Sequence, residues 1–135
     1  MAPDDADLTR FLASLRTVAV VGLSARPDRP SHEVARYLQG RGLRVLPVNP
    51  SISEVLGERS YPELGALPQV PDVVVVFRRP DDVPEVADGA IRSGARGLWL
   101  QLGIRHPDAE AAARAAGMTV VADRCIKLEL QRLLP

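Results

Sequence analysis

The chain has 135 residues, a length suited to one domain with its own core, and its 17 basic and 17 acidic residues cancel. That balance argues against a general nucleic-acid binder, which needs a basic excess to track phosphates. A lone cysteine, Cys125, excludes an internal disulfide framework and fits a reducing compartment, no apolar run approaches the ~20 residues of a membrane span, and the acidic start MAPDDADLTRF does not read as a secretory signal. A cytoplasmic location follows as the expectation.

In chain order, residues 4–15 read as a helix packed on the domain that follows. Residues 18–21 form the first strand. Ser31 is placed to cap a helix reaching about residue 41, with Val34 and Leu38 one turn apart and Gly40 and Gly42 as stops. A second strand covers 44–48, and 51–67 is irregular, with one short helix near 61–67. The run DVVVVF predicts a strand over 73–77, apolar on both sides as a doubly covered parallel strand should be. Asp82 and Glu85 form a capping-box pattern for a helix over 83–93, whose Val83, Val86, Ala87, Ala90 and Ile91 make one stripe. A fourth strand spans 97–100. Pro107 opens an Ala-rich helix that Gly117 ends, a fifth strand spans 119–121, and a last helix starts near Cys125.

This alternation predicts one α/β domain over residues 1–135, a Rossmann-like doubly wound sheet of five parallel strands in the order 3-2-1-4-5 with helices on both faces. Ligands of such sheets bind beyond the C-terminal strand ends, where the order reverses. After the first strand, VVGLSARPDRPSHEV offers Gly22 for a tight turn and Leu23 beside it. It also offers the Ser24 hydroxyl, Arg26, Arg29 and a helix start at Ser31 whose free N–H groups suit an anion. An ordinary strand-to-helix turn with solvated arginines is the alternative. A dinucleotide fingerprint is not met: Ser24 and Pro27 occupy the second and third glycine positions, and Asn49 and Pro50 stand where an acidic ribose contact is needed. A P-loop is excluded for want of G-K-[ST].

The third strand ends in FRRPDD. Arg78 and Arg79 either reach the anion or pair with Asp81 and Asp82, and Phe77 serves either the core or as a shelf for a base. Trp99 reads as core, and Gln101 emerges at the fourth strand end as a ligand contact. Cys125 is either an inert core thiol or a reactive one beside Arg124. His32 and His106 sit at helix starts without metal or triad spacing.

The segments VAVVGLSARPDRPSHEVARYL, RVLPVNP, DVVVVFRRP, GLWLQLGI and DRCIKLE, in this order from about residue 18 to 129, resemble the stand-alone CoA-binding domain family. That family is similar to the N-terminal domain of the succinyl-CoA synthetase α subunit. The resemblance implies coenzyme A, or an acyl-CoA, as ligand. It implies Gly22, Leu23 and Ser24 lining the first loop, Arg29 and Ser31 near phosphates, and Asn49 and Pro50 in the second loop. It also implies FRRP at the nucleotide portion and Gln101 as a fourth-strand contact; the position of Cys125, just past a strand end beside Arg124, makes it a candidate neighbour of the CoA thiol. Ser51 and Ile52 follow Pro50 where the synthetase carries a phosphate-binding lysine. The synthetase's next domain, with its phosphorylated histidine, would begin where this chain ends. The expectation is therefore a binding module without catalysis. The alternatives are an enzyme or partner subunit acting on acyl-CoA, and an NAD(P)-binding redox domain. A protein partner or a second copy is left open.

Overall fold

The computed structural model describes residues 2–135. Helix α1 (Asp5–Ala13) starts at Asp4, whose carboxylate accepts the Asp7 N–H at 2.8 Å. Strand β1 (Thr17–Val21), helix α2 (Pro30–Gly40) and strand β2 (Arg44–Val48) follow. The irregular stretch after β2 contains a small antiparallel hairpin, β3 (Glu54–Val55) and β4 (Glu58–Arg59), and a 3-10 turn at Leu64–Ala66. Next come β5 (Val73–Val76), a 3-10 turn at Pro80–Asp82, α3 (Val83–Ser93) and β6 (Gly97–Leu100). Helix α4 (Pro107–Ala115), β7 (Thr119–Val121) and α5 (Ile126–Leu133) complete the chain.

The five long strands make one parallel, Rossmann-like sheet in the order β2-β1-β5-β6-β7. Counted among the parallel strands alone this is 2-1-3-4-5. The third parallel strand lies beside the first, whereas 3-2-1-4-5 would put it outside the second. The cause lies in the connection from β2 to β5. No long helix fills it, and the 3-10 turn at Leu64–Ala66 drops Leu64 into the core on the α3 face. The chain thus crosses that face and re-enters the sheet on the far side of β1.

Strand residues alternate between two apolar layers, as the two-residue period of a strand requires. Val18, Val20, Val73, Val75 and Trp99 face α1, α2 and α5 through Leu8, Leu12, Val34, Leu38, Ile126 and Leu130. Ala19, Val21, Val74, Val76 and Leu98 face α3 and α4 through Val83, Ala87, Ala90, Ala109 and Ala113. Helix α1 joins the first layer, its Phe11 ring lying against Gly97, where a Cβ would collide with it. Arg132 ties α5 to α1 by bonds to Asp5 of 2.8 and 2.9 Å. No helix among the described residues is long and apolar enough to cross a membrane.

Two expected caps are corrected. The helical backbone begins at Pro80, so Asp82 already has helical angles (φ −87°, ψ −11°) and cannot act as the extended residue that starts a helix; its side chain makes no capping bond. Likewise α2 starts at Pro30 after the extended Arg29, leaving Ser31 inside the first turn.

One buried charge sits at the start of α4. Glu110 is fully buried, accepting two bonds from Arg105 (2.9 and 3.3 Å) and one from the His106 N–H (2.8 Å), with Arg114 nearby. Burial alone would raise its pKa, but these bonds and the two guanidinium charges together hold it below the usual carboxylate range. A depressed carboxylate stabilises the fold fully above its unfolded pKa, about 4.3, and that contribution is lost as pH falls through the folded value. Glu110→Ala should lower unfolding free energy by about 2–3 kcal/mol, since the exposed Arg105 head can be rehydrated. In urea titrations from pH 7 to pH 3, Glu110→Gln should lose less stability than the wild type over the acid limb.

Candidate functional site

The direction of connection reverses between β1 and β5, so the crevice of this sheet opens where those two strands end. Their backbones meet closely there. Phe77 N–H donates to Val21 C=O at 2.8 Å, and Gly22 N–H donates to Val48 C=O at 2.9 Å, so three strand ends converge on Gly22. Gly22 adopts φ +85°, and a Cβ on it would fall inside the Phe77 carbonyl oxygen and 3.2 Å from the Arg78 Cδ. Only glycine satisfies both the left-handed angle and that approach.

From Gly22 the loop is held by side-chain ties. Ser24 N–H donates to the Ser31 hydroxyl at 3.0 Å, and Arg26 N–H donates to the Ser24 hydroxyl at 3.1 Å. Ser31 is buried and acts as an anchor between loop and helix. Pro30 occupies the first turn of α2 and no side chain caps its N-terminus, so the positive end of that helix faces the loop. Asn49 joins this loop to the one after β2. Its amide donates to the Leu23 carbonyl at 2.9 Å and its side-chain oxygen accepts the Ser51 N–H at 2.8 Å. Its own backbone is held by Tyr61 O (2.9 Å) and Ser60 Oγ (3.0 Å). Leu23 is fully buried.

The four candidate arginines divide into two kinds. Arg26 pairs with Asp28 at 3.0 Å and Arg78 with Asp82 at 3.2 Å. Arg29 and Arg79 are exposed and form no ion pair with any described residue. The Arg78 stem lies over Gly22 and its head enters a cleft of about 390 Å³ between the Pro62–Gly65 segment and α3. Val21, Val48, Pro50, Leu64 and Val86 supply apolar lining, while Glu63, Asp82 and Glu85 outnumber Arg78 and Arg92. This second wall was not legible in the sequence. Pro62–Gly65 has no periodicity, and the only local signal for its close seat on α3 is Gly89, whose Cβ would stand 3.3 Å from a Leu64 methyl.

Phe77 is half-buried and packs on the α2-side core, and Cys125 does the same at the start of α5. Gln101 turns inward: it is 4% exposed and its Oε1 accepts the Ile126 N–H at 3.0 Å, securing the first turn of α5. The structure thus gathers Gly22, Leu23, Ser24, Ser31, Asn49, Pro50 and Arg78 around the β1 and β5 ends, with Arg26, Arg29 and Arg79 on the adjoining loops. Gln101 and Cys125 lie at the ends of β6 and β7, engaged with α5 and the core.

Known proteins carry the same pattern. Over 126 residues, 93% of each chain, the sequence is 38% identical to the uncharacterized protein YneT of Bacillus subtilis. A solved structure of a hypothetical protein from Pyrococcus horikoshii superposes with a TM-score of 0.95 at 36% identity, covering 98% of this chain and 94% of that one. An ADP-forming acetate–CoA ligase of Archaeoglobus fulgidus is 27% identical over 87 residues, 63% of this chain but only 13% of the ligase. The model of the CoA binding domain family matches residues 16–131, so the chain belongs to that family and shares ancestry with the CoA-binding domain of acyl-CoA synthetases.

Proposed function

We propose that this protein binds coenzyme A, or an acyl-CoA, in the crevice between β1 and β5 and performs no chemistry on it by itself. The observation that carries the reading is the meeting of the Gly22 backbone, the uncapped α2 N-terminus and Arg78 at the topological switch point. The pyrophosphate belongs over Gly22 and Ser24. Arg29 and Arg79 stand ready for phosphate because no carboxylate holds them, whereas Arg78 must leave Asp82 first. Pro50 and the cleft beyond it offer apolar surface to the base.

Magnitudes support a ligand of this kind. Coenzyme A carries roughly four negative charges. Charge-assisted hydrogen bonds contribute about 1.5–3 kcal/mol each and a helix N-terminus about 0.3–2 kcal/mol. Three such bonds and one helix end reach the ~8 kcal/mol of micromolar binding, before ordering costs.

Calorimetric titration with CoA, dephospho-CoA, ATP and NAD tests the reading. CoA should bind with a dissociation constant on the order of micromolar, dephospho-CoA more weakly, and NAD not measurably; binding of NAD in place of CoA would reverse the assignment. The double variant Arg78→Ala, Arg79→Ala should lose at least about tenfold in CoA affinity, ~1.4 kcal/mol. Asn49→Ala removes the tie between the two loops. It should weaken CoA binding several-fold and speed hydrogen exchange of the Ser51 amide. Unchanged exchange would show that the loops keep their places without it.

A further inference from the structure

Arg78 is the one candidate cation whose stem covers Gly22, yet its guanidinium is already occupied. Asp82, in the 3-10 turn that follows, holds it at 3.2 Å. Asp82 makes no capping bond to α3, so this pair is the ordering contact of its carboxylate. The neighbourhood is acidic as well. Glu63 and Glu85 line the same cleft, and its other arginine, Arg92, is held by Asp88 at 3.0 Å.

We infer that Asp82 is a positioning residue that competes with the ligand's phosphate for Arg78 and thereby limits affinity for anionic ligands. The inference rests on the coenzyme A reading above. The carboxylate acts as a built-in anion and keeps the guanidinium turned toward the start of α3. A phosphate over Gly22 must draw it away, and the released carboxylate then faces water beside Glu63 and Glu85. Both partners of the pair are partly exposed, 41% for Arg78 and 30% for Asp82. Screening by water therefore keeps the competition modest, and the expected penalty on binding is about three- to fivefold.

A double-mutant cycle read by calorimetry at fixed ionic strength tests this, with CoA as the probe and melting curves to establish that each variant is folded. Asp82→Asn should bind CoA about three- to fivefold more tightly than the wild type. Asp82→Glu, which can still reach Arg78, should return to wild-type affinity. In an Arg78→Ala background Asp82→Asn should bring no gain. Equal or weaker binding by Asp82→Asn overturns the inference. So does the same gain without Arg78, which would mark a general relief of negative charge. If Arg78→Ala alone binds CoA as the wild type does, Arg78 is not at the anion and the inference falls, while coenzyme A binding stands on Gly22, Arg29 and α2. If neither wild type nor Asp82→Asn binds CoA, the functional reading itself falls and this inference with it.

Discussion

The crevice depends on one close approach: the backbones of β1, β2 and β5 meet at Gly22 with no room for a side chain. The Gly22 N–H is fixed to Val48 and the Phe77 N–H to Val21. The carbonyl of Phe77 fills the space where a Cβ would stand. A bulkier residue would have to open the sheet edge or abandon the left-handed angle. Because the contact is between main chains, it sets where the loops begin before any side chain acts. The Ser24–Ser31 and Asn49–Leu23 bonds then extend that order outward by one residue at a time.

Charge is deployed by position rather than in total. The chain has no net charge, and many of its ion pairs serve the scaffold. Asp72 shows the scaffold role at the opposite edge of the sheet, accepting the Arg16 and Thr17 N–H groups at 2.8 and 2.9 Å with Arg96 at 3.4 Å. Its partial burial pushes its pKa up, and those bonds outweigh the push and hold it below the ordinary range. Glu110 does the same for α4. The C-terminal edge differs in that Arg29 and Arg79 have no carboxylate partner among the described residues. An overall neutral protein can in this way hold a locally cationic rim beside a cleft whose own walls lean acidic.

Much of this was legible in the sequence because it follows from local rules. Four-valine β5, the apolar stripe of α3 and the Pro107 start of α4 each carry a period or a backbone constraint that survives into the fold. Gly22 was legible as a turn; the nearness of Phe77 was not, since it joins residues more than fifty positions apart. The misread caps at Ser31 and Asp82 have one cause. Both hydroxyl and carboxylate have several partners within reach, and the choice depends on where the helical backbone begins, two residues earlier than the pattern suggested for α2 and three for the turn before α3. The short helix expected near 61–67 is the single 3-10 turn at Leu64–Ala66, whereas the hairpin at 54–59 has no counterpart in the sequence pattern because two-residue strands leave no periodicity.

Strand order is not decided by local pattern, and it bears directly on the site. Alternating strands and helices are compatible with either placement of the third parallel strand, since both obey the same crossover rule. Had that strand lain outside β2, the fourth would have flanked β1, and Gln101 would have faced the Gly22 loop. With β5 beside β1, the FRRP segment takes that position and brings Arg78 over Gly22. Gln101 is displaced by one strand and becomes a helix anchor, bonded to Ile126 beneath α5. The same placement brings an arginine over Gly22 and turns the glutamine toward α5, so the make-up of the candidate site follows from topology before it follows from residue type.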